Sequence, residues 1–158
     1  MELAGMEIAR LLHLLGVVIW VGGMFFAYMT LRPAAAALLE PAQRLPLWQA
    51  TLSRFFTWVW IAVALIIVSS VWMLSLLGGL KAVGTYVHLM MGIGLAMMLI
   101  FAHVFFAPFK RLTRAVRAKD WPAGAAALGQ VRKLVGFNLV LGLVTVAVAT
   151  LGRIALHL

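Results

Sequence analysis

RLLHLLGVVIW (Arg10–Trp20) sets one histidine in a run that is otherwise apolar after its opening arginine. Extended to about Met6–Leu31, the run exceeds the roughly 20 residues that a helix needs to cross a bilayer. An ionisable side chain inside a membrane helix is costly, so His13 is a candidate functional residue on that ground alone. A second run repeats the arrangement. TYVHLMMGIG (Thr85–Gly94) places His88 near the start of another apolar stretch.

Composition supports the membrane reading. The chain is 65% hydrophobic and 11% charged, with a mean hydropathy of +1.09. A soluble domain of 158 residues cannot bury that much apolar surface. Cysteine is absent, which removes disulfides, thiolate metal sites, iron–sulfur clusters and covalent heme attachment. The net charge of +9 does not indicate nucleic acid here. The basic residues fall between apolar runs, where they act as topology signals and contacts to lipid headgroups. Glu2 and Glu7 spoil the positive n-region of a secretory signal, so the first run reads as a retained span.

Four runs qualify as spans, at about residues 6–31, 55–77, 83–108 and 134–156. The expected fold is all-α, a single transmembrane domain over residues 1–158 built as a four-helix bundle. Arg32-Pro33 ends the first run, Gly78-Gly79 the second, and Pro108 with Lys110-Arg111 the third. The first connection, with Pro33, Pro41 and Pro46, reads as an interfacial helical segment. Trp48, Trp58 and Trp60 follow near one membrane face. The short Gly78–Ala82 connection predicts a tight hairpin. Basic residues from Lys110 to Lys119 recur mostly at helical spacing, so the third span should continue as a basic helix until Asp120-Trp121-Pro122. Arg32, Arg44, Arg54 and seven basic residues between Lys110 and Lys133 lie on one side; Arg10, Lys81 and Arg153 lie on the other. The positive-inside rule then places both termini outside, which in a bacterium is the periplasm. The expected location is a bacterial inner membrane.

With that orientation His13 lies about 10 Å into the first span and His88 about 7 Å into the third, at 1.5 Å per residue. The two imidazoles share a level, so they are expected to face one another and hold one ligand. Gly16 and Gly92 lie one turn deeper on the histidine faces, leaving room for a porphyrin edge or close helix approach. Trp20 lies on the His13 stripe and can pack on a ring. Arg10, one turn nearer the surface, suits a propionate. These residues fit heme b held by His13 and His88 and used for one-electron transfer between a quinone and a periplasmic redox protein, as a monomer or homodimer. Met6 and Met91 beside the same histidines supply the alternative, copper, since thioether and imidazole also suit Cu(I). The ligand inventory alone does not separate the two. His103 sits one span-depth further in and reads as a structural residue bonded to Asn138 or a backbone carbonyl, with a second redox centre as the lesser reading. His157 reads as solvated, Arg153 as snorkelling to headgroups, and the serines and threonines of the spans as bonded to their own helices.

LHLLGVVIWVGG with the following LRP, the RFF-W pattern at Arg54–Trp58, YVHLMMGIG and the late Gly152-Arg153 together resemble the copper-resistance D (CopD) family of bacterial inner-membrane proteins. That resemblance implies copper transport or copper handling. The chain is also similar to the HemJ family of heme-binding protoporphyrinogen oxidases. There a first-span histidine and a histidine in a WLHVK-like motif are tied to heme and activity, and His13 and His88 match those positions. Leu89 and Met90 stand where the family has VK, which departs from the enzyme pattern. The expected function is therefore a heme b electron carrier, with a copper-handling protein as the alternative and a tetrapyrrole-oxidising membrane oxidoreductase as the second alternative.

Overall fold

The structure, a computed structural model, describes the backbone of residues 2–155 and the side chains of residues 3–152. Helix α1 runs over Leu3–Leu38 and α2 over Pro41–Leu76. A tight hairpin leads into α3, Thr85–Phe106, which continues as α4, Pro108–Arg117. Helix α5 covers Trp121–Ala155. Four helical stretches are long and apolar enough to cross a membrane, and the described residues contain no strand. This is the all-α multi-pass architecture that the apolar runs predict.

The helices overrun the expected span limits because the chain places its prolines where helices tolerate them. Pro33 sits near the start of the helical turn Arg32–Leu38. It follows a π-helical turn, Ala27–Leu31, a local widening that accommodates a displaced backbone bond. The first connection shrinks to extended Leu39 and Glu40. Pro41 then opens α2 at the first helical position, where its missing N–H is no loss and the residue before it is driven to an extended conformation. Pro46 lies inside α2 without ending it. The expected interfacial segment is therefore a continuation of both long helices.

The hairpin after α2 depends on Gly78 and Gly79, at φ +87° and +90°, a region where a Cβ clashes with its own backbone. The amide N–H of Gly79 donates to the Leu74 carbonyl at 2.8 Å, closing the end of the helix. At the other end, Pro108 lets α3 bend at Ala107 (φ −113°, ψ −84°). Helix α4 then lies amphipathically. Pro108, Phe109, Leu112 and Ala115 are buried and Lys110, Arg111, Arg114 and Arg117 are exposed. The expected basic extension is borne out. Asp120 Oδ1 accepts the Ala123 N–H at 3.0 Å, so the residue read as a breaker is the N-cap of α5.

Helix α1 packs along α2, and α3 packs along α5, with α4 folded back on α5. Small residues set the close approaches, as bundles inside lipid require. A Cβ on Gly16 would stand 2.9 Å from the Ala62 carbonyl oxygen of α2. One on Gly142 of α5 would meet Val21 and Met97, and one on Gly152 would meet Tyr86. The centre is aromatic. Phe56 packs edge-on against Phe101 at 5.5 Å and Phe109 at 5.0 Å between ring centroids. Trp60 meets Phe101 and Phe105 in the same manner, so of the tryptophans expected at an interface it contributes to this cluster. Trp48 is buried and Trp58 faces outward.

Candidate functional site

His13 is half-buried on the seam between α1 and α2. Its Nδ1 lies 3.2 Å from Ser69 Oγ and 3.3 Å from Ser70 Oγ. Ser69, fully buried, donates its one hydroxyl proton to the Leu65 carbonyl at 2.6 Å. It can therefore only accept from the imidazole. In the tautomer with its proton on Nδ1, the ring donates to these hydroxyls and the Nε2 lone pair is left free. A ring fixed through one nitrogen with the other unprotonated is the arrangement by which proteins prepare a histidine to ligate a metal.

The seam continues on both sides of His13. Met6, two turns earlier on α1, is half-buried. Met73 of α2, one turn beyond Ser69 and Ser70, is half-buried as well. Gly5 faces Trp72 and Leu76 of α2, so the antiparallel pairing brings this level of α2 beside the start of α1. On the inner side, the buried stripe of α1 runs through Gly16, Trp20, Met24 and Ala27. A π-helical turn, Val18–Gly22, lies within it. Such turns recur at functional sites.

The other expected members of the site lie elsewhere. His88 is exposed on α3, and its Nδ1 donates to its own Gly84 carbonyl at 3.2 Å. Its helix packs on α5 while that of His13 packs on α2. The expected face-to-face pair is thus replaced by two histidines with separate partners. Arg10 is exposed and forms a salt bridge with Glu7 at 2.9 Å, so its guanidinium already has a carboxylate. Trp20 is buried edge-on against Phe101, 5.9 Å between centroids. Gly92 is exposed, with open space where a Cβ would stand, and Met91 is outward on the same helix. Gly16 makes room, but for α2 rather than for a ligand. Beside Trp20 and Phe101 the free volume is about 10 Å³, far below the several hundred that a macrocycle needs. The cavity beside Trp20 is thus filled by aromatic side chains and does not supply the expected heme b cradle. Among the described residues no three His, Asp or Glu side chains cluster as a metal site.

His103 is exposed, and Asn138 does not reach it. Asn138 instead donates through Nδ2 to the Met97 carbonyl at 3.3 Å, and its buried Oδ1 has no partner among the described residues. Asn138 lines the small central cavity together with Met24. Asn138→Leu is expected to change stability by no more than about 1 kcal/mol, because a long hydrogen bond and an orphaned acceptor disappear together. Reversible unfolding in mixed micelles measures this. A loss of about 3 kcal/mol would mean that the oxygen is held by a buried water after all. His157 and the side chain of Arg153 lie outside the described residues.

The sequence singled out His13 but not its partners. Serines in membrane helices ordinarily bond their own helix carbonyls, and Ser69 does so. Its second role, accepting from His13, depends on the pairing of α1 with α2, which no local pattern encodes. Met73 carries no signal apart from that pairing either. No curated protein and no solved structure matches the chain. Residues 49–151 match the family model described as Copper resistance protein D, CopD. The match takes in α2 from Gln49 onward, α3, α4 and most of α5, including Ser69, Ser70, Met73 and His88. It leaves out His13 and the rest of α1.

Proposed function

This chain belongs to the copper resistance protein D (CopD) family, and from that membership we infer that it handles copper ions within the membrane. Copper is its cargo, and His13 is the residue through which α1 takes part. The family match is the observation that carries this reading. The His13 seam supplies chemistry to suit it. A free Nε2 lone pair, with thioethers of Met6 and Met73 at the same end of the bundle, is a soft nitrogen and sulfur donor set of the kind that selects Cu(I). A protein without cysteine has no softer ligand to offer. Neutral imidazole and thioether carry no charge, so the site binds a monovalent cation without placing a carboxylate inside the bilayer. Release is correspondingly easy, which suits transfer rather than storage.

The excess of basic residues on the α4 side orients that end towards the cytoplasm. His13 then lies in the outer half of a bacterial inner membrane, where copper arriving from the periplasm enters first. His88 and Met91, on the outward side of α3, are not part of the site in this reading.

Copper content and the visible spectrum of the purified protein test the proposal together. Protein produced in copper-supplemented cells and purified in mild detergent under reducing conditions is expected to carry copper and to be nearly colourless. A red protein with a Soret band, free of copper, would overturn the proposal and restore heme as the ligand.

A further inference from the structure

At the opposite end of the bundle from His13, a cavity of about 250 Å³ opens between α1, the start of α2 and α5. Its walls divide by chemistry. Arg32, Arg44 and Arg132 line it from three different helices, and Leu45, Leu52 and Val135 are among its apolar residues. No carboxylate lines it. Among the described residues the one salt bridge is between Glu7 and Arg10, in the first turns of α1. The nearest acid in sequence, Glu40, accepts the Arg44 backbone N–H through its carbonyl and is exposed. Asp120 is committed to the cap of α5. Three arginines thus line one cavity with no carboxylate among the described residues beside them.

Two features keep the cavity open and its charges in place. Arg32 is half-buried and sits 4.9 Å above the ring of Tyr28, a contact that orients the guanidinium plane while leaving its N–H groups to donate elsewhere. Gly129 of α5 lines the cavity, and a Cβ there would meet nothing within 4 Å. Packing with small residues usually closes helices upon each other; here the glycine borders empty space.

We propose that this cavity binds the headgroup of an anionic phospholipid. The phosphate lies among Arg32, Arg44 and Arg132, and the acyl chains start along the apolar wall and continue into the bilayer. Charge complementarity favours this occupant. An Arg cluster pairs with phosphate through charge-assisted bonds, and basic pockets between membrane helices take anionic headgroups at this level. A zwitterionic lipid brings a cation into the same three guanidiniums and is disfavoured. A soluble anion satisfies the arginines but leaves the apolar wall uncovered. The inference does not depend on the copper reading, since it uses neither His13 nor the family match.

The test is native mass spectrometry of the full chain, with phosphatidylglycerol and phosphatidylcholine of identical acyl chains offered in equal amount. Phosphatidylglycerol is expected to be retained about tenfold or more over phosphatidylcholine. Arg32→Gln with Arg132→Gln is expected to remove that preference. Arg114→Gln with Arg117→Gln, which deletes the same charge from the exposed face of α4, is expected to leave it intact. Gly129→Leu keeps every arginine and fills the cavity, so it too should lower retention; its helical circular dichroism reports that the bundle is folded. Millimolar inorganic phosphate is expected not to displace the lipid. Equal retention of the two lipids, equal losses in the two arginine pairs, unchanged binding in Gly129→Leu, or displacement by inorganic phosphate would each overturn the proposal.

Discussion

Gly16→Leu is expected to separate α1 from α2 and to lower the stability of the bundle by about 3 kcal/mol, the upper part of the range for overpacking. The glycine is buried at the crossing of the two helices. A Cβ there would stand 2.8 Å from Ile66 Cγ1 and 2.9 Å from the Ala62 carbonyl oxygen. The isoleucine can rotate. The carbonyl belongs to the α2 backbone and cannot move without the helix. Lipid offers no hydrophobic force to press the helices together again, since their association inside the bilayer rests on close packing and polar contacts. The replacement is also expected to break the bonds from His13 to Ser69 and Ser70, which lie one turn away across the same seam. Unfolding in mixed micelles measures the first effect. Gly22→Leu, at an exposed position of the same helix where a Cβ has open space, is the control and should cost little.

His13→Ala is expected to weaken Cu(I) binding by about a hundredfold, about 2.8 kcal/mol at 1.4 kcal/mol per factor of ten. The change deletes the only imidazole on the seam among the described residues and leaves the thioethers behind. Competition against a chromophoric Cu(I) chelator measures the affinity. Ser69→Ala with Ser70→Ala leaves the imidazole in place but removes the hydroxyls that hold its Nδ1. The expected loss is about tenfold, the scale typical of outer partners of a metal ligand. His88→Ala, on the outward side of α3, is expected to leave the affinity within twofold of wild type. An equal loss from His88→Ala and His13→Ala would mean that both imidazoles bind the ion and that the helices pair differently.

The number and nature of the helices were legible in the sequence because bilayer thickness imposes a length that hydropathy reports directly. The ends were less so. Pro33 and Pro46 look like breakers, yet one begins a helical turn after a π-helical turn and the other lies within the early turns of α2. Lateral arrangement was the least legible. Helix α3 is apolar on every side, so its sequence does not show which face turns inward. His88 falls on the outer face. Two histidines at one depth suggested a shared ligand, but depth fixes only the coordinate along the membrane normal, not the angle around each helix. The angle of His13 could be guessed from the stripe it shares with Gly16 and Trp20, both buried. That of His88 could not, since Gly92 marks an open surface rather than a close approach. Arg32, Arg44 and Arg132 were visible as topology signals, but that they line one cavity from three helices follows only from the fold.

Copper K-edge absorption of the Cu(I)-loaded protein tests most directly whether Nε2 of His13 is a ligand. The spectrum of the wild type is expected to show imidazole scattering together with a sulfur shell, and in His13→Ala the imidazole contribution should vanish while sulfur remains. Unchanged imidazole scattering in His13→Ala would contradict the assignment.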